Sequence, residues 1–374
     1  MQNHEPIYDV RTLGAAKTVI LGLQHTFAMF GATVLVPILT GLPISTTLLF
    51  AGLGTLLFHL VTKGQVPAFL GSSFAFLGGY AAVAPLLEDG SPNTEMLPYA
   101  CGGVFCAGIV YLILSALIKG FGAKKVMRFF PPVVTGPIII AIGLILAPTA
   151  INNCATNWPV AIIALVTVVI FNIWGRGMSK IVPILIGIIV SYIAAFVMGD
   201  VSFEGIGDEA ILGLPPITLM KFDISAIITI MPLALATMME HIGDISAIGA
   251  TTGKNYIEKP GLHRTLLGDG LATCLAAAFG APANTTYGEN TGVLALTKVY
   301  DPRVMRIAAV FAIILSCVPK VAFVIESIPT ATIGGISFIL YGMISAIGIR
   351  NESRLYKKQK HYYCSAYPRM RTWL

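Results

Sequence analysis

Charged residues are scarce in this chain. Asp, Glu, Lys and Arg make up 11% of its 374 residues, against 56% for apolar ones. A soluble globular domain carries about 25% charge. The composition therefore excludes one and indicates a helical protein that crosses a membrane several times. Six cysteines are present (Cys101, Cys106, Cys154, Cys274, Cys317 and Cys364), with no CxxC pair. That spacing suits core residues or bystanders, not zinc ligands or a disulfide framework. The chain lacks a phosphate-binding glycine loop, a dinucleotide fingerprint and a nucleophile elbow, so no enzyme, cofactor or metal site is expected. A separate signal peptide is not expected, because the first apolar run, Thr18 to Leu39, is long enough to span. The net charge of +6 is not a nucleic-acid signal: from Arg350 onward there are seven Lys/Arg and one Glu, and the remainder balances.

One polar stretch interrupts the apolar spans. From Gly280 to Lys298 the chain reads GAPANTTYGENTGVLALTK. Pro282 removes an amide donor, Asn284, Thr285 and Thr286 are polar, and Tyr287-Gly288 is turn-prone. A clean helical run begins only at Glu289. The pattern predicts an extended strand leading into a half-helix that starts inside the protein. Non-helical backbone at membrane depth survives only where protein buries it or where it lines a cavity. Secondary transporters place substrate at such breaks. The plainer alternative is a surface loop followed by a helix.

Apolar runs at 15–40, 45–62, 65–87, 99–118, 130–150, 159–175, 181–199, 224–249, 262–280, 283–300, 303–325 and 329–349 give twelve candidate spans. Two of them, 65–87 and 283–300, are broken. Loops after even-numbered spans carry Lys63, Lys119, Lys125, Arg176, Lys180, Lys254, Lys259 and Arg303, whereas those after spans three and seven carry Glu88, Asp89, Asp200 and Glu204. By the positive-inside rule the even loops and the N-terminus are cytoplasmic, in the cell membrane.

Span three, VPAFLGSSFAFLGG from Val66, echoes span ten. Both open on Pro-Ala (Pro67-Ala68 and Pro282-Ala283), continue with small polar residues and an aromatic (Phe74, Tyr287), and end in a helix. The two spans are an odd number apart and so have opposite orientation, the inverted-repeat pattern of transporters. Projected forward, this repeat calls for two further spans after residue 349. In their place stands a basic tail, 350–374, with no apolar run. The expectation is a frameshifted, truncated C-terminus; a basic tail resting on anionic headgroups is the alternative.

Ionisable groups inside a membrane are costly and mark function. Glu240 and Asp244 lie mid-span at i and i+4 on one helix face. When both are charged they repel, and burial disfavours charge, so one of the pair could carry a coupling proton. Glu289 adds a carboxylate at the second break. Backbone amides near Phe74 and Gly288 would be unpaired within their helices. Phe74 and Tyr287 offer flat walls, and Gly288 allows close approach. Amide donors, carboxylate acceptors and aromatic walls fit a small planar heterocycle with alternating C=O and N–H groups; an inorganic anion would be repelled. Gln24, His25 and Asn290 are further candidates. His241 points about 100° away from Glu240 and is expected to be structural. Asp269 and Lys320 could be site residues, ion-pair partners or interface anchors.

The stretches LQHTFAMFGATVLVP (Leu23–Pro37), VPAFLGSSFAF (Val66–Phe76), EHIGD (Glu240–Asp244), GLHR (Gly261–Arg264) and NTTYGENTGVLALTKVY (Asn284–Tyr300) together resemble the uracil permeases of the nucleobase–ascorbate (nucleobase–cation symporter-2) transporter family. E-N-x-G-x4-T-K, at Glu289, Asn290, Gly292, Thr297 and Lys298, is similar to the family signature. A Glu at its start goes with uracil, a Gln with purines. The resemblance implies an all-α polytopic fold of fourteen spans as two inverted repeats of seven, here about twelve, with a short strand in each broken span. After a cytoplasmic segment 1–14, a core domain (15–118 and 224–325) would move in elevator fashion against a gate (119–200 and 326–349). It also implies proton-coupled uracil symport. Glu240 and Glu289 would bond the ring nitrogens, the amides of Phe74 and Gly288 would meet the carbonyls, and Ala32, Ser73, Tyr287 and Tyr341 would line the pocket. Glu240 would carry the proton, with Asp244 and Glu289 coupled to it. The bilayer, uracil and a second copy in a homodimer are the partners in view. A purine or xanthine permease and a non-transporting remnant are the alternatives.

Overall fold

The computed structural model describes residues 5–87, 91–126, 132–346 and 349. Residues 350–374, on which the expectation of a truncated tail falls, lie outside them, as do Glu88 and Asp89. The chain runs through α1 (Ala15–Thr40), α2 (Ile44–Val61), β1 (Leu70–Ser72), α3 (Leu77–Val83), α4 (Leu97–Phe121), α5 (Ala123–Val126), α6 (Pro132–Ala155), α7 (Trp158–Trp174) and α8 (Pro183–Met198). It continues through α9 (Ile224–Ile230), α10 (Leu233–Thr252), α11 (Leu262–Ala278), β2 (Asn284–Thr286), α12 (Gly288–Thr297), α13 (Arg303–Ser316), α14 (Pro319–Glu326) and α15 (Thr330–Ala346).

Local chemistry sets the ends of these helices. Asn157 accepts from the Val160 amide at the start of α7, and Asp223 accepts from the Ala226 amide at the start of α9, each satisfying an amide that has no partner within its helix. Prolines sit in the first turn of α4, α7, α8 and α14, where a missing N–H costs nothing. Among the described residues, four helical stretches are long and apolar enough to cross a membrane: α1, α2, α4 and Ile224–Thr252, which joins α9 to α10. The other apolar runs form shorter or broken helices, so a count of twelve spans does not follow from helix length.

The stretch expected as one span over 303–325 is not straight. Between α13 and α14 the axis turns by 83°. Pro319 explains it: the residue before a proline is pushed out of the helical region, and Val318 sits at φ −114°, ψ 90°.

Both expected breaks are present, and the strands they contain pair with each other. β1 and β2 run antiparallel, with Leu70 opposite Thr286, Gly71 opposite Thr285 and Ser72 opposite Asn284. The ladder is continued by Ser73 N–H to Ala283 O (2.8 Å) and Tyr287 N–H to Phe69 O (3.0 Å). All six strand residues are buried. Backbone too short for a helix is thereby satisfied at depth, as a membrane interior demands. The Asn284 side chain donates to Phe50 O (3.0 Å), and the Thr273 hydroxyl donates to Asn284 O (2.9 Å), tying β2 to α2 and α11. Pairing the two prolines sets the repeats 215 residues apart, the separation of Ser72 and Tyr287, but the elements are one residue out of step with that. Phe74, which opens a 3-10 turn, corresponds to Gly288, and Ser73 to Tyr287. The aromatics Phe74 and Tyr287 are therefore not equivalent positions.

Buried side chains form three main clusters. Met29, Leu48, Phe58, Phe69, Tyr287 and Met305 join α1, α2, the residues flanking the two strands and α13. Tyr80, Tyr111, Ile230, Met238 and Leu266 join α3, α4, α9, α10 and α11. Leu146, Val168, Ile188 and Leu340 hold α6, α7, α8 and α15 together and meet Leu35, Val36 and Leu77 of α1 and α3. Large apolar residues such as Ile145, Trp174 and Val197 remain exposed on this last group, as befits a surface that faces hydrocarbon.

Candidate binding site at the two half-helix starts

The two broken segments, α10 and α15 enclose a cavity of about 480 Å³. Its walls include Phe74 and Ala75 at one helical start, Thr285 to Glu289 at the other, and Glu240 and Asp244 of α10. No side chain caps either start, so its first amides are free to donate to a ligand. The residues of α10 that face the cavity are Ala236, Met239, Glu240, Gly243 and Asp244, a single stripe at i, i+3, i+4, i+7 and i+8. A Cβ on Gly243 or Gly288 would meet nothing within 4 Å, so both leave open space beside the carboxylates. Glu240 is surrounded by protein yet solvent-accessible, because it faces this cavity. The Thr286 hydroxyl donates to Asp244 Oδ2 at 3.1 Å, which engages one oxygen of that carboxylate. Among the described residues, neither Glu240 nor Glu289 is in an ion pair.

Tyr287 contributes its ring and withholds its hydroxyl. The phenol donates to Ser72 O (2.9 Å) and lies 3.1 Å from Ser72 Oγ and 3.3 Å from Thr33 Oγ1, which donates to it. Gly71 permits this: a Cβ there would lie 2.5 Å from Tyr287 Cε2 and 2.8 Å from Thr33 Oγ1.

Other residues singled out from the sequence lie elsewhere. Ala32 lines a smaller neighbouring cavity of about 140 Å³, which shares Glu289, Leu340 and Met343 with the larger one. Ser73 is buried outside both linings and is held by its amide. Tyr341 is buried among Leu146, Ile336 and Leu340; its neighbours Leu340, Met343 and Ile344 face the cavity instead. His25 and Asn290 bind one another, with Asn290 Nδ2 3.1 Å from His25 O and 3.2 Å from His25 Nδ1, and neither lines the cavity. Gln24 is half-buried and also outside it. His241 Nδ1 lies 3.0 Å from Asp269 Oδ2, an ion-pair separation off the line of a good hydrogen bond. Both are fully buried, and the edge of the His241 ring meets Phe58. That pair locks α10 to α11 behind the cavity wall. Met239, Met343 and Ile344 went unnoticed in the sequence, and Thr286 was read there only as part of the polar break. Helical spacing from Glu240 would have found Met239, whereas Met343 and Ile344 depend on how α15 is rotated.

The cavity thus offers amide donors at two helix starts, carboxylate acceptors opposite them and apolar walls. Among the described residues, no group of three or more His, Cys, Asp or Glu is arranged to hold a metal ion.

A family model described as "Permease family" matches residues 16–365. The probable uracil permease of Pasteurella multocida (strain Pm70) is 43% identical over 343 residues, 89% of this chain and 80% of the relative. The uracil permease of Bacillus caldolyticus is 42% identical over 366 residues, 93% of this chain and 82% of the relative. Among solved structures, the transmembrane domain of the cyanobacterial bicarbonate transporter BicA superposes with a TM-score of 0.68 at 18% identity, covering 91% of each chain. At that identity the likeness is one of fold.

Proposed function

This chain belongs to the Permease family, whose members named above are transporters and not enzymes, and from that premise we propose that it carries uracil across the cell membrane by proton-coupled symport. The observation that carries this reading is the single cavity where Glu240, Glu289 and the helical starts at Phe74 and Gly288 converge. Uracil has ring N–H groups and carbonyls in alternation. The carboxylates would accept from the N–H groups, the amides of Phe74 and Gly288 would donate to the carbonyls, and Phe74 and Tyr287 would flank the ring. A proton on Glu240 would relieve the repulsion among Glu240, Asp244 and Glu289, so that proton and uracil enter together and leave together. The group containing α1–α4 and α9–α14 would move against α6, α7, α8 and α15, with the N-terminus on the cytoplasmic side. The names of the relatives support the substrate; 40–43% identity extends across 78–82% of four of them.

The fold likeness to a bicarbonate transporter raises a second reading, an anion carrier. Three carboxylates on one cavity would repel an anion, which favours a neutral heterocycle. The deciding experiment is radiolabelled uracil uptake in cells lacking their own uracil transport. Uptake abolished by a proton uncoupler and competed by unlabelled uracil is expected. Uptake of bicarbonate or of a purine in place of uracil would overturn the assignment.

A further inference from the structure

The smaller cavity holds a basic residue that the proposed cycle does not use. Its lining brings together Glu289, Lys180 and Asn172 with Ala28, Gly31 and Ala32 of α1 and residues of α8. Lys180 ends a 3-10 turn, Gly177–Lys180, that is built firmly. The Arg176 amide donates to Ser179 Oγ (3.1 Å), and that hydroxyl donates to Arg176 O (2.9 Å). The turn packs on α12, the helix that begins beside Glu289. The next residue, Ile181, comes within 3.5 Å of where a Cβ on Gly292 would lie, an ordinary packing distance. Among the described residues Lys180 makes no ion pair. Lys180 is exposed and so free to move its ammonium. It lies along a cavity that shares a wall residue with the proposed uracil site.

We propose that Lys180 is the counter-charge of Glu289 in the empty carrier. Resting on the uracil-symport reading, the inference assigns the step that reading leaves open. Once substrate and proton have left, Glu289 would face the return with a bare charge, which is costly inside a membrane. The lysine ammonium, on a flexible four-carbon stem, reaches across the small cavity and pairs with it. Glu289 thus has two alternative partners: uracil from the larger cavity and Lys180 from the smaller. Competition between them keeps the empty form distinct from the loaded one. The ion pair offsets the bare charge of Glu289 in the empty form and is not needed when uracil occupies the site.

The test separates net transport from exchange. Lys180→Met, Lys180→Arg and the unaltered chain are compared for net uracil uptake and for exchange of external labelled uracil against internal unlabelled uracil. A melting-temperature cycle on the purified ligand-free protein compares Lys180→Met, Glu289→Gln and the double variant. The expected result is a fall in net uptake of about fivefold or more for Lys180→Met, with exchange unchanged and uptake restored by Lys180→Arg. In the melting cycle, Lys180→Met should lower the melting temperature only while Glu289 is present. Equal slowing of net uptake and exchange, or melting effects that simply add, would overturn the proposal. Should the unaltered chain carry no uracil, the symport reading fails by itself, and the melting cycle still decides whether the two residues are coupled.

Discussion

The Thr286 hydroxyl donates to Asp244 Oδ2 at 3.1 Å, joining the strand of one broken segment to the carboxylate face of α10. This bond holds the cavity wall at a fixed distance from the start of α12. Thr286→Val keeps the shape and removes the donor. It should destabilise the protein by about 1 kcal/mol, the usual scale for a side-chain hydrogen bond between membrane segments. A double-mutant cycle with Asp244→Asn, read by thermal melting, checks it: the two losses must be less than additive.

Tyr287 should separate cleanly into ring and hydroxyl. The hydroxyl is spent on Ser72 and Thr33, so Tyr287→Phe should cost about 1 kcal/mol of stability and leave the preference for uracil over purines intact. Tyr287→Ala also removes a wall of the cavity and should weaken uracil binding at least tenfold. Equilibrium binding of labelled uracil measures both.

Gly71→Ala is expected to do more harm than its size suggests. The new methyl would press on the Tyr287 ring and on the Thr33 hydroxyl. Overpacking of this kind costs about 1–3 kcal/mol. Here it should also displace the ring, so uptake should fall with stability. Gly288→Ala is the useful contrast: its Cβ enters open space, so the fold should survive while uracil is crowded out.

Glu240→Gln and Glu289→Gln remove one acceptor each and should both abolish net uptake at neutral pH. They differ in what remains. Glu240→Gln, lacking the proposed proton carrier, should retain exchange that no longer varies with external pH. Glu289→Gln should shift competition from uracil towards purines. Identical behaviour of the two variants in exchange and competition assays would contradict the division of labour between them.

Much of this architecture could be read from the chain because membrane physics is restrictive. Pro67 and Pro282, each followed by small or polar residues in an otherwise apolar run, announced the breaks, and the 3.6-residue repeat put Glu240 and Asp244 on one face. Other features depend on contacts between distant residues. The ladder from Leu70 to Thr286 cannot be seen in either strand alone, and neither can the mutual capture of His25 and Asn290. Tyr341 illustrates a limit of another kind. One residue is a rotation of about 100° around a helix, so whether Tyr341 or its neighbour Leu340 faces the cavity depends on the rotation of α15, which the sequence alone does not set. The 83° bend was legible in Pro319 and was obscured by the apolar run continuing on both sides of it.

The short antiparallel ladder sets a condition on every motion of this molecule. The two helical starts belong to chain segments far apart in sequence, yet main-chain bonds running from Phe69 to Tyr287 and from Ser73 to Ala283 clasp them together. Spreading one start from the other would break those bonds where no water can replace them. The pair therefore behaves as one rigid jaw: a molecule gripped by both amide rows can be released only when something outside the jaw moves away.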